Sequence, residues 1–111
     1  RIDDHFAGRA PAVRATYDAI LDTARALGPV EEEAKKTSIH LVRRTAFAGV
    51  ATRKTALQLT LKASSDIDSP RIAKRERVSA NRWHVELRLD GPGDVDAELA
   101  GWLKAAYELS A

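Results

Sequence analysis

Two of the three histidines sit in stretches where apolar residues alternate with polar ones: His40 in "SIHLVRR" and His84 in "WHVELRL", with Glu86 two residues further on. Imidazole and carboxylate groups suit zinc or iron, and facing residues on adjacent strands bring their β-carbons within about 5 Å. His40, His84 and Glu86 are therefore a candidate metal or small-ligand set, on the condition that their strands are neighbours. No close ligand spacing such as H-x-x-x-H supports the metal, and a solvated pair of surface histidines is the simpler reading.

A second group is cationic. "RIAKRER" places Arg71, Lys74, Arg75 and Arg77 within seven residues, and Arg43, Arg44 and Lys62 lie in strand-like stretches before it. The planar fork of arginine matches phosphate and carboxylate oxygens, so these seven residues are a candidate surface for an anionic partner, either a nucleic acid or an acidic protein. Trp83 would suit a base-stacking platform, but its alternation with Val85 and Leu87 assigns it to the core.

Catalysis finds little support. There is no G-x-S-x-G elbow, no G-x-x-x-x-G-K-[ST] loop and no G-x-G-x-x-G turn. The chain contains no cysteine, which excludes a thiolate nucleophile, a disulfide framework and cysteine-based zinc or iron–sulfur sites. A non-catalytic domain without a cofactor is the expectation, and the lack of cysteine fits a cytoplasmic setting. Methionine is also missing, as expected of a piece of a longer chain, and no basic-then-apolar leader opens it.

The elements that must hold these residues follow from periodicity. In "PAVRATYDAILDTARALG", Val13, Tyr17, Ile20, Leu21, Ala24 and Leu27 share one helical face; Pro11 suits a first turn and Gly28-Pro29 a stop. The period then changes to two. "SIHLVRR", "TAFAGVAT" and "TALQLTLK" read as three strands, the last two joined by the short turn "TRKT". The "EEE" run at Glu31 to Glu33 reads as a solvated acidic edge. "ASSDIDSP" is a loop by composition, the basic segment after it reads as a ragged strand or a loop, and "WHVELRL" is a further strand. A final helix carries Val95, Leu99, Trp102, Leu103 and Ala106 at helical spacing, with Asp94, Asp96 and Glu98 at its positive end.

Short links between strands demand antiparallel neighbours. The expected architecture is a single α+β domain over residues 1–111, with a lead-in over 1–10. It is a two-layer sandwich, an antiparallel sheet of four to five strands with the N- and C-terminal helices packed on one face. Strand parity then puts His40, His84 and Glu86 with Lys62 on the opposite, open face.

Charge is unevenly spread. Lys35 to Arg88 holds 13 Lys or Arg against 4 Asp or Glu, whereas the flanks together hold 5 against 12. A basic centre between acidic ends draws anionic partners, although solvated surface charge accounts for the same pattern. No stretch has the roughly 18 apolar residues of a membrane helix, so no membrane partner is expected. Val42, apolar on the polar sheet face, is the one hint of a homodimer.

The blocks "HFAGRAPAVRATYDAI", "EEEAKKTSIHLVRRTAFAGVATRKTALQLTLK", "RWHVELRL" and "WLKAAYELS" together resemble the bacterial family called domain of unknown function 5655, over nearly the whole chain. The resemblance brings no catalytic residue, cofactor or ligand with it. At the level of fold alone the pattern is also similar to iron-chaperone-like and frataxin-like sheet-and-helix domains.

Overall fold

The apolar stripe from Val13 to Ala24 winds into α1 (Pro11–Arg25), with Pro11 in its first turn. A short 3-10 turn over Ile2–Phe6 precedes it, and Phe6 packs on Tyr17 with ring centroids 5.2 Å apart. The computed structural model describes all 111 residues, Arg1 to Ala111. Beyond α1 the chain turns at Gly28, whose φ of +154° disfavours any other residue. A β-carbon there would also collide with the Tyr107 hydroxyl, which donates to the Pro29 carbonyl at 3.0 Å.

Six strands follow: β1 (Glu31–Ala34), β2 (Ile39–Val42), β3 (Ala46–Thr52), β4 (Leu57–Ala63), β5 (Lys74–Ser79) and β6 (Arg82–Leu89). They form one sheet in the order β1-β2-β3-β4-β6-β5, and every pair is antiparallel. The sheet thus exceeds the expected four to five strands. The additional members are at its two edges. β1 is the glutamate run, and β5 is the basic segment, exposed at all six positions. Both are strands because each has a ladder partner, β2 and β6 respectively, and neither shows a buried alternating face for periodicity to reveal.

The inner strands alternate as expected. Burial along β4 switches at every residue, with Leu57, Leu59 and Leu61 inside. A cluster of 22 buried residues joins these leucines to Ile39, Leu41, Val50, Val85 and Leu87, to the stripe of α1 and to Leu99, Leu103 and Ala106 of α2 (Ala97–Glu108). Asp96 caps α2 by accepting from the Leu99 amide at 3.0 Å. The Leu99 amide and the Arg71 guanidinium hold the Asp96 carboxyl below its ordinary range.

One residue breaks the parity, and another keeps it without being fully buried. The β2–β3 register shifts between Leu41 and Val42, so Phe47 and Ala48 are both buried, as one extra residue on a bulged strand permits. Phe47 meets Tyr107 edge to face at 5.3 Å. Trp83, expected in the core, shares the parity of Val85 but is only half-buried. It lies at the end of β6 opposite Arg77, whose guanidinium sits 5.9 Å above its ring. No helix of the chain is long and apolar enough to cross a membrane.

The Tyr17 hydroxyl is buried without a hydrogen-bond partner. Burial first, and then the negative charge of Glu32, raise its pKa. An unpaired buried hydroxyl gives up hydration for nothing, so Tyr17→Phe is expected to leave stability unchanged or raise it by up to about 1 kcal/mol in urea unfolding. A clear loss would show that the hydroxyl has a partner. Gly28→Ala, by contrast, should cost about 1–3 kcal/mol in the same assay, since it meets both backbone strain and the Tyr107 hydroxyl.

Candidate functional site

Facing residues on antiparallel neighbours project from the same side of a sheet. The ladders therefore align Glu33, His40, Gly49, Thr60, Glu86 and Lys74 in one row across all six strands, on the side away from the leucine core. A parallel row contains Lys62, His84 and Glu76, and another contains Ala51, Gln58 and Arg88. Arg82 shares the parity of His84 and so belongs to the same face.

Side-chain size varies sharply along these rows. The middle of the face carries Gly49, Ala51 and Thr60, while His40 rises on one side and Lys62 and His84 on the other. The result is an open trough of about 470 Å³ that these residues line together with Ser38 and Ala46, within the size range of small-molecule sites.

Gly49 is the floor. Its φ is not positive, and a β-carbon at Gly49 would come no closer than 3.9 Å to the His40 ring and 4.0 Å to Thr60. Neither backbone geometry nor packing requires glycine here, although glycine inside a strand costs roughly 0.5–1 kcal/mol relative to alanine. What the missing side chain leaves is space above the sheet.

Lys62 supplies the charge. Its Nζ donates to Thr45 Oγ1 at 2.9 Å and to Ser110 Oγ at 3.1 Å, and Thr45 in turn donates to Ser110 at 3.0 Å. Both acceptors are neutral, and none of the eight ion pairs includes Lys62. Burial, and then the repulsion of Arg82, lower its pKa. An ammonium has three N–H donors, so one remains for a ligand beside His84, its direct partner across the β4–β6 ladder.

The proposed metal set does not assemble. β3 and β4 separate the strands of His40 and His84, a gap of three strand spacings, or about 14 Å. Glu86 accepts a hydrogen bond from Gln58, which accepts one from Arg53. No trio of His, Asp or Glu side chains on the chain is arranged to hold a metal ion. The two imidazoles instead line the same trough.

The cationic set is dispersed and mostly engaged with its own chain. Arg43 lies 4.2 Å above the Tyr107 ring and donates to the Tyr107 carbonyl at 3.1 Å. Arg71 binds Asp96 and Glu98, each at 3.0 Å, and the Asp94 carbonyl at 2.7 Å, which ties the loop before β5 to the start of α2. Arg75 pairs with Asp66 at 2.7 Å, and Arg77 donates to the carbonyls of Ser79 and Ala80. Arg44 is exposed at the β2–β3 turn, and Lys74 on the open face of β5. Of the seven, only Lys62 reaches the trough. Val42 is half-exposed at the bulge.

Gly49, Thr45 and Ser110 belong to the site but are not marked by residue type alone. The one sequence signal for the floor was a glycine inside an otherwise apolar strand, "AFAGVAT", a position that often marks close approach by another group. The pairing of Ser110 with Lys62 spans 48 residues and left no local trace.

No curated protein and no solved structure matches the chain. A family profile does match it, over residues 2–110. With that match covering all but the terminal residues, the chain belongs to the family described as "Domain of unknown function (DUF5655)".

Proposed function

We propose that this domain is a non-catalytic binding module whose working surface is the open sheet face, and that it takes an anionic ligand in the trough between His40 and His84. The observation that carries this reading is the uncompensated Lys62 ammonium beside a floor emptied by Gly49. An isolated, partly desolvated cation with only neutral acceptors gains more from an anion than a solvated surface lysine does. The wider cationic set contributes less, because Arg43, Arg71, Arg75 and Arg77 already have partners within the chain.

The first test is a titration with acetate and with inorganic phosphate, read by amide NMR shifts. Perturbations centred on Gly49, Thr60, Lys62 and His84 are the expected result. Shifts gathered instead at Arg44, Lys74 and the β5 edge would move the site to the outer basic residues, and none at millimolar anion would end the reading. Gly49→Val should abolish the response without lowering the melting temperature, since a β-branched residue favours a strand and a β-carbon at this position meets nothing closer than 3.9 Å.

The pH dependence has a definite sign. A lysine whose folded pKa lies below the ordinary 10.5 is less protonated when folded than when unfolded, so its own contribution to stability rises with pH in that window. Anion binding needs the charged form. Affinity measured by calorimetry should therefore fall as pH rises, starting below the range of an ordinary lysine. In Lys62→Arg, where the guanidinium stays charged, the fall should disappear. An unchanged pH profile in that variant would remove Lys62 from the site.

A further inference from the structure

Resting on the trough reading above, we infer that the ligand is an organic monoanion with a flat apolar body, bound with its carboxylate at Lys62 and its body laid across Gly49 toward His40. Three features of the face carry this.

The first is that Lys62, the one lysine or arginine lining the trough, stands at one end of it. Lys62 and His84 face each other across the β4–β6 ladder, and Arg82 lies on the same face close enough to depress the Lys62 pKa. At the opposite side the row runs through His40 to Glu33, which is itself paired with Lys35 at 3.3 Å.

The second is that carboxylates surround the site in register. Glu33 stands across the ladder from His40, Glu86 from Thr60 and Glu76 from His84. A single negative charge at Lys62 avoids them. A polyanion long enough to cross the face would bring further charges against these three, and like charges brought together repel.

The third is the character of the middle. Ala46, Gly49 and Ala51 present no side-chain hydrogen-bonding group, and the exposed lining of the trough is mostly apolar. A polar body would lose water there with little beyond the Thr60 hydroxyl to replace it, whereas a flat hydrocarbon ring would cover the glycine floor and meet the edge of the His40 imidazole. His40 Cδ2 lies 3.9 Å from where a Gly49 β-carbon would be, so a flat ring laid over the glycine comes into van der Waals contact with the edge of the imidazole.

Four probes separate the contributions: 2-naphthoate, its neutral amide 2-naphthamide, acetate and inorganic phosphate, each titrated into the protein with dissociation constants taken from trough amide shifts. The expected order places 2-naphthoate at least tenfold tighter than either acetate or 2-naphthamide. Lys62→Gln should weaken naphthoate to the level of the amide and leave the amide unaffected. Gly49→Val, which keeps the Lys62 contacts, should abolish naphthoate binding with no loss of melting temperature. If acetate or phosphate binds as tightly as naphthoate, the apolar body contributes nothing and this inference falls while the anion reading stands. If naphthamide equals naphthoate, charge plays no part and both fall. If no probe shifts the trough amides, the trough itself is not the site.

Discussion

Leu57, Leu59 and Leu61 all point to one side of β4, and the rest of the molecule is arranged around that fact. β4 is paired on both flanks, with β3 through five facing residues and with β6 through seven. Each neighbour must therefore present its own apolar residues in phase with these leucines. A slip of one residue on either flank would turn Val50 or Val85 and Leu87 outward and bring Gly49 or Glu86 into the core, a change no hydrophobic cluster tolerates. The same constraint that gathers the 22-residue core also delivers Gly49, Thr60, Lys62 and His84 to the other side. Core and trough are two faces of one register.

The open face is shaped by subtraction. Its depth comes from a glycine and alanines on the central strands, not from loops that rise around it. Its charge comes from one lysine whose neighbours are hydroxyls. The other cations serve the architecture: Arg71 fastens the approach to β5 against the first turn of α2, and Arg43 closes the opposite end of that helix through the Tyr107 ring and carbonyl. Part of a basic sequence segment thus becomes internal bracing, with Asp96 and Glu98 countering Arg71 and Asp66 countering Arg75.

How much of this could be read from residues alone depended on whether the information was local. Both helices and the alternation of β2, β4 and β6 were legible, because each buries one face and periodicity records burial. The membership of the family was legible in the order of whole blocks. β1 was not legible as a strand, and β5 only as a ragged strand or a loop, since edge strands held by a single ladder need no apolar alternation. Strand order was beyond reach as well. Nothing in "RERVSANRWHVELRL" tells that β6 folds back between β4 and β5, and on that depended whether His40 and His84 meet. The half-burial of Trp83 has the same origin, since parity assigns a side but not how far the helices extend over it.

β5 has no buried residue and touches the sheet along one flank only, with its ladder interrupted between Arg77 and Ser79. Its order therefore depends on a few solvent-facing hydrogen bonds and on the clasp of Arg75 with Asp66. Segments of that kind open at a small fraction of the free energy of global unfolding. When β5 detaches, β6 remains held by β4 and the core stays closed, but the sheet then shows a new edge from Arg82 to Glu86. The charged residues Lys74, Arg75, Glu76 and Arg77 discourage foreign strands from joining the closed form. In the opened form that protection is gone, so the tendency of this domain to aggregate is governed by how often β5 departs, well before the molecule as a whole unfolds.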